Sequence, residues 1–256
     1  QINNNTVAQE NFNNSLRDAS TASDNLFKKI KRVAAAYAGI QTMKIGIDLA
    51  DTMTQNTARL NLLNGRNQST EELQKMIYQS AQSSRGDYLG TTDSIAKMGL
   101  MAGDAFGSNT ELIGFMELIN KQFKIAGTSA AGINAAMLQL TQAMGAGALR
   151  GEELNSVLEQ APIIVKNIAK YMGVPVGEIK DLAKEGKITA DVVKNAMFSA
   201  SQEINSQFES IPMTFTDVIT RVKNAAIQGF QPIAKQINGI VNSDRVKQFV
   251  NMSVVL

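Results

Sequence analysis

The chain contains no cysteine, no histidine and no tryptophan. Without cysteine there is neither a disulfide to staple a fold nor a thiolate nucleophile, and nothing calls for an oxidising compartment. Without histidine, the usual general base near neutral pH and the commonest metal ligand are also missing. Aromatic residues make up 5% of the sequence, so the core must be built from Ala, Leu, Ile, Val and twelve Met. That palette suits close helix packing better than a β-sandwich. Excess charge is missing too: a net +2 is too small for a protein that holds nucleic acid electrostatically. At 256 residues the chain is long enough for one large or two modest cores. The expected fold class is all-α: a multi-helix bundle of short helices flanked by longer amphipathic N- and C-terminal helices.

Long charge-free apolar runs are also scarce. The longest uncharged stretch, Ile125 to Leu149, matches a membrane span in length but carries Thr128, Ser129, Asn134, Gln139, Thr141 and Gln142, so it is read as non-spanning. The opening QINNNTVAQENFNN is polar and starts at Gln1, with no signal-like charged and apolar segment. The expectation drawn from it is a piece of a longer chain.

What the sequence does contain is ordered helix punctuation between Leu138 and Ala200. The apolar face of Leu138, Leu140 and Met144 runs into Gly145 and Gly147, residues that enter the left-handed conformation of a helix stop at little cost. Glu152 and Glu153 fall in the first turn of the next helix, where the dipole favours negative charge. Pro162, lacking an amide proton, marks the following boundary. Gly173 and Gly186 are read as further helix ends, and Thr189 is placed to cap the helix after them.

These boundaries coincide with four short motifs: A-L-R-G-E-E-L at Ala148 to Leu154, Q-x-P at Gln160 to Pro162, G-V-x-x-G-E-I at Gly173 to Ile179, and E-G-K-I-T at Glu185 to Thr189. In that order they resemble the N-terminal tape measure domain of phage and prophage tail tape measure proteins. Two positions depart from the pattern: Ile163 stands where glycine is common, and Pro175 where many members carry a serine able to cap the next helix. Both lie at turns. The resemblance implies a structural protein of a phage or phage-derived tail, with no enzymatic activity and no cofactor. It implies several chains lying inside the tail tube, setting its length and leaving ahead of the DNA. The implied partners are further copies of the chain, as a trimer or hexamer, with tail tube and tail tip or baseplate proteins, and transiently the host envelope. No specific nucleic acid is expected. The implied locations are the lumen of the virion tail and, during assembly, the host cytoplasm. A helical module that interacts with or perturbs an envelope is the alternative reading.

Ahead of the motif region, a three-four apolar spacing runs from Phe12 to Ile47, about five heptads. Leu16, Ser23, Ile30, Tyr37 and Lys44 share one heptad position; Ala19, Leu26, Val33, Ile40 and Ile47 share the other. Leu16, Leu26, Ile30, Val33, Tyr37, Ile40 and Ile47 are the self-association candidates, and β-branched residues in the second position disfavour a parallel dimer relative to larger assemblies. Gly39, Gly46 and Lys44 weaken the seam, and a helix packed within its own chain explains the pattern equally well. The expected organisation is a polar segment with this long helix at 1–66, the helical tape measure domain at 67–210, and a C-terminal helical segment at 211–256. In the last, Ile219, Val222, Ala226, Ile233, Ile237 and Ile240 keep helical spacing, and Gly229 and Pro232 are expected to divide or bend the helix.

Enzyme signatures fail individually. Ser94 to Lys97 reads S-x-x-K and Ser23 to Asn25 reads S-D-N, but in reversed order and without K-T-G. Gly145, Gly147 and Gly151 have the wrong spacing for a dinucleotide fingerprint. Asp48 and Asp51 make a poor calcium site without further oxygen ligands. Lys28, Lys29, Lys31 and Arg32 spread around a helix and are read as a solvated face. Catalytic, cofactor-binding and metal-binding residues are accordingly expected to be absent.

Overall fold

The computed structural model describes residues 40–63 and 68–241. Among the described residues there are eleven α-helices and no strand, so the protein is all-α. The chain divides into two compact units, 1–51 and 52–256. Of the first, residues 40–51 are described, as the opening turns of α1 (Ile40–Asn61). The seam candidates Leu16, Leu26, Ile30, Val33 and Tyr37 lie outside the described residues. Ile40 and Ile47 lie in the backbone of α1.

The second unit is built around α4 (Asn109–Ile125), which touches α2 (Thr70–Ser83), α3 (Tyr88–Ala102) and helices from the C-terminal half. Leu112, Phe115, Met116, Ile119 and Phe123 of α4 are all buried. Their three-four spacing makes one broad apolar face, and each such side chain contributes about 1.5–3 kcal/mol when buried. Phe106, just before α4, adds a tilted ring contact to Phe115 at 5.3 Å.

Side-chain caps set the starts. Ser69 accepts from the amide of Glu72 at 3.2 Å while the Glu72 carboxylate accepts from the amide of Ser69 at 2.9 Å, a complete capping box at α2. At α4 the box is displaced: Ser108 accepts from the Glu111 amide at 3.1 Å, but the Glu111 carboxylate reaches past it to the amide of Gly107 at 2.6 Å. Asp87 caps α3, and Ser129 caps α5 (Ala130–Gly145).

The chain continues through α6 (Gly151–Gln160), α7 (Pro162–Met172), a 3-10 turn at Val176–Glu178, α8 (Ile179–Lys184), α9 (Ala190–Ser199), α10 (Ser201–Ser210) and α11 (Phe215–Val241). Helix α5 lies against α3 and α6, and α9 lies against α7 and α4. Pro175, in the place of a capping serine, accepts from the Glu178 amide through its carbonyl at 3.0 Å and so opens the 3-10 turn.

Two expectations require correction. Gly145 does not enter the left-handed region; it is the last helical residue of α5, and Gly147, two residues on, takes the positive φ of 83°. The reason for glycine at 145 is proximity, since a Cβ there would lie 2.8 Å from the Met101 carbonyl oxygen of α3. Nor does the C-terminal segment separate into two halves. Helix α11 runs unbroken through Gly229 and Pro232. Pro232 faces solvent, so the ring and the lost hydrogen bond are accommodated on the exposed side of the helix.

Candidate interaction site

The first and last of the four sequence motifs meet at the base of a loop of helices. Where α5 ends and α9 begins, the chain forms a short antiparallel bridge between Ala148 and Thr189. The Leu149 amide donates to the Ile188 carbonyl, and the Ala190 amide to the Gly147 carbonyl, both at 2.8 Å. Leu149 and Ile188 are fully buried on either side of the bridge. Thr189 serves both structures: its hydroxyl also accepts from the Val192 amide at 3.2 Å and caps α9. The first and last motifs thus form a clasp that closes α6, α7 and α8 into one loop.

The remaining positions shape that loop. Pro162 is the first residue of α7, where its missing N–H costs nothing. Gly173 and Gly186 are left-handed at φ 69° and 71°. At each, paired backbone bonds close the preceding helix: Gly173 to Lys170 with Val174 to Ala169, and Gly186 to Ala183 with Lys187 to Leu182. Gly186 also makes room for Arg150 of the first motif, whose terminal nitrogen would lie 2.6 Å from an added Cβ. Glu152 and Glu153 occupy the first turn of α6.

A second cluster fastens α11 through polar groups. Thr214 and Asp217 cap its start reciprocally: the Asp217 amide donates to the Thr214 hydroxyl at 3.1 Å and the Thr214 amide to the Asp217 carboxylate at 3.0 Å. That carboxylate is 4% exposed and accepts from Lys124 at 2.8 Å, with Arg85 at 3.9 Å. Burial pushes its pKa up, but the bonds from Lys124 and Thr214 and the charge of Lys124 outweigh burial and hold it below the usual carboxylate value. One turn pair further, the fully buried Asn224 accepts from the Tyr88 amide and donates to the Gly86 carbonyl, each at 2.8 Å. Gln231 donates to the Tyr88 hydroxyl at 3.4 Å, and burial raises the pKa of that phenol despite its hydrogen bonds. Lys223 and Lys235 reach Asp87 and Glu71 at 2.7 and 3.3 Å.

The opposite face of α11 is apolar and points to solvent. Phe215 is 84% and Ile219 61% exposed, Ala226 is exposed and Val222 half-buried. Sequence reasoning grouped Ile219, Val222 and Ala226 by their spacing but overlooked the counter-stripe of Asp217, Asn224 and Gln231, spaced by seven residues. That polar repeat was the available signal for which side meets the body.

Of the groups singled out for chemistry, Ser23 to Asn25 and the basic residues Lys28, Lys29, Lys31 and Arg32 lie outside the described residues. Lys97 pairs with Asp93 at 2.6 Å rather than serving Ser94. Among the described residues no cluster of three or more Asp or Glu is arranged to hold a metal ion, and no helix is long and apolar enough to cross a membrane.

No curated protein and no solved structure matches the chain. A family model described as tape measure protein matches residues 44–235, from the second turn of α1 to within α11, and takes in the clasp and the polar fastening. By that match the chain belongs to the tape measure protein family, a family of structural proteins of the phage tail.

Proposed function

We propose that this region is an end domain of a tape measure protein, acting in docking and in the organisation of assembly rather than as the ruler itself. The observation that carries this reading is the clasp: the Ala148–Thr189 bridge folds three helices back on themselves. A ruler uses the axial rise of helix, about 1.5 Å per residue, to convert chain length into distance. Helices closed into a loop give up that conversion. The domain occupies the tube lumen, contacts tail tube and tail tip or baseplate proteins, and leaves ahead of the DNA. It associates with further copies of itself, as a trimer or hexamer, and passes through the host cytoplasm during assembly. The absence of disulfides favours release, since unfolding then needs no reduction.

In-frame deletion of residues 162–184 within the intact phage gene tests the reading. The expected result is failed or abortive tail assembly with no population of uniformly shortened tails. Tails shortened in proportion to the deleted residues would make this segment part of the ruler and overturn the assignment. The envelope-interacting alternative draws on the exposed Phe215 and Ile219; flotation of the chain with lipid vesicles would favour it.

A further inference from the structure

We propose that α11 is a strap that leaves the body as one unit while the body stays folded, so that the chain has a fastened and an open form. The inference goes beyond the end-domain reading and is independent of it, because opening is read on the chain in solution.

The joint between α11 and the body is poor in apolar contact. Among the described side chains of α11 the buried ones are Asp217, Asn224, Ile227 and Ala234, and of these Ile227 alone is a large hydrophobe. In α4, by contrast, Leu112, Phe115, Met116, Ile119 and Phe123 are each at most 1% exposed. Water cannot replace the burial of apolar area, but it takes over most of what a protein hydrogen bond supplies. The fastening of α11 therefore consists largely of bonds that solvent can exchange.

Two clefts bring solvent to those bonds. One, of about 230 Å³, lies where Thr220 of α11 faces Arg85, Asp87 and Lys124. The other, of about 220 Å³, lies where Gln231 and Lys235 face Thr57 and Asn61 of α1 and Gln74 of α2. Between them Asn224 holds the Tyr88 amide and the Gly86 carbonyl. Of the ion pairs, Lys223 with Asp87 and Lys235 with Glu71 have side chains between 38% and 70% exposed, which salt screens readily.

The body keeps its own core when the strap opens. Helix α4 packs against α2, α3, α9 and α10, and none of those contacts passes through α11. Arg85 retains its place over Phe208, and the Tyr88 ring retains its edge contact with Tyr78 at 5.8 Å. The body group that changes most is Tyr88, which is 3% exposed in the fastened form. Its amide is the first of α3, where no carbonyl of the same helix can accept it, so Asn224 of α11 supplies its acceptor. Exchange at that amide therefore reports whether α11 is in place.

Native-state hydrogen exchange on the full 256-residue chain, followed at low urea concentrations, is the test. The amides of Tyr88 and Ile227 should exchange through one common opening, at least about tenfold faster than those of Ile95 in α3 and Phe115 in α4, and with a smaller urea dependence. Raising sodium chloride from about 0.05 M to about 0.5 M should speed Tyr88 and Ile227 severalfold and leave Ile95 and Phe115 as they were. Lys223→Ala with Lys235→Ala, both exposed on α11, should speed the same two amides at low salt without changing the helical circular dichroism. An Ile227 amide that shares the rate and urea dependence of Phe115 would overturn the proposal, because α11 would then leave only with the whole body. So would exchange at Tyr88 without Ile227, which is the loss of one bond and not of the helix. Equal acceleration of Tyr88, Ile227 and Phe115 in the double variant would overturn it as well.

Discussion

The guanidinium of Arg85 lies over the ring of Phe208, 4.5 Å from its centroid, and it reaches that position from a left-handed backbone with φ 54°. The turn at Arg85 has the same pair of closing bonds that glycine serves at 173 and 186: Arg85 to Gln82 and Gly86 to Ala81. A side chain in this conformation costs roughly 1–2 kcal/mol. The side chain offsets that cost by stacking on Phe208, donating to the Pro212 carbonyl at 3.3 Å and approaching Asp217, which ties the end of α2 to the α10–α11 junction.

Arg85 therefore separates strain from contact. Arg85→Ala keeps the strain and loses the stack, and should destabilise by about 1–3 kcal/mol. Arg85→Gly loses the same contacts but relieves the strain, so in urea denaturation it should be more stable than Arg85→Ala by about 1 kcal/mol. Equal stabilities would show that the backbone conformation carries no cost.

Glycine substitutions should divide by cause. Gly173→Val faces no neighbour within 4 Å, so its penalty, about 1 kcal/mol or more, comes from φ alone. Gly145→Ala is expected to destabilise although alanine favours a helix by about 1 kcal/mol over glycine, because the new methyl meets the Met101 carbonyl at 2.8 Å. Gly186→Val carries the φ penalty and must also displace Arg150, a flexible side chain. Thermal melting of the three variants orders these effects, and a stabilised Gly145→Ala would show that α3 and α5 can move apart.

The fastening of α11 should loosen in acid. The folded-state pKa of Asp217 is depressed, so its contribution is fully present above the ordinary carboxylate pKa and is lost as pH falls through the folded value. Wild type should exceed Asp217→Asn in melting temperature by a constant margin near neutral pH, and the margin should shrink below about pH 4. Hydrogen exchange at the amides of Asp217 and Val218 should accelerate over the same interval. A margin independent of pH would mean that the carboxylate charge contributes nothing to holding the helix.

The N-terminal seam makes a separate prediction. Leu26→Asp with Ile30→Asp should dissociate any assembly built through Phe12 to Ile47, as read by sedimentation velocity. A wild-type chain that sediments as a monomer at high concentration would remove that seam as a site of stable association.

The all-helical fold and the family were legible in the sequence because both rest on neighbours within a few residues. Serine three residues ahead of glutamate at Ser69 and Glu72 makes a cap in whatever surroundings the helix finds, and the boundary motifs between Ala148 and Thr189 carry the family resemblance without any knowledge of packing. Local chemistry reached its limit at Gly145 and Ser108. Glycine next to a helix end reads as a stop, yet the presence of Met101 across the interface is a fact about another helix. The spacing of Ser108 and Glu111 reads as a closed box, yet the carboxylate found the amide of Gly107 instead.

What the sequence by itself determined is where turns of helix begin and end and which residues share a stripe, since these follow from backbone geometry and short-range hydrogen bonds. Only the tertiary structure decided which stripe meets the body. On α11 the apolar residues had the stronger periodicity, but Asn224 finds the Gly86 carbonyl and the Tyr88 amide, and Asp217 finds Lys124, partners far away in the chain. A buried polar group without a partner costs more than an exposed isoleucine, and the face that carries these satisfied polar groups together with Ile227 and Ala234 turned inward and left Phe215 and Ile219 outside.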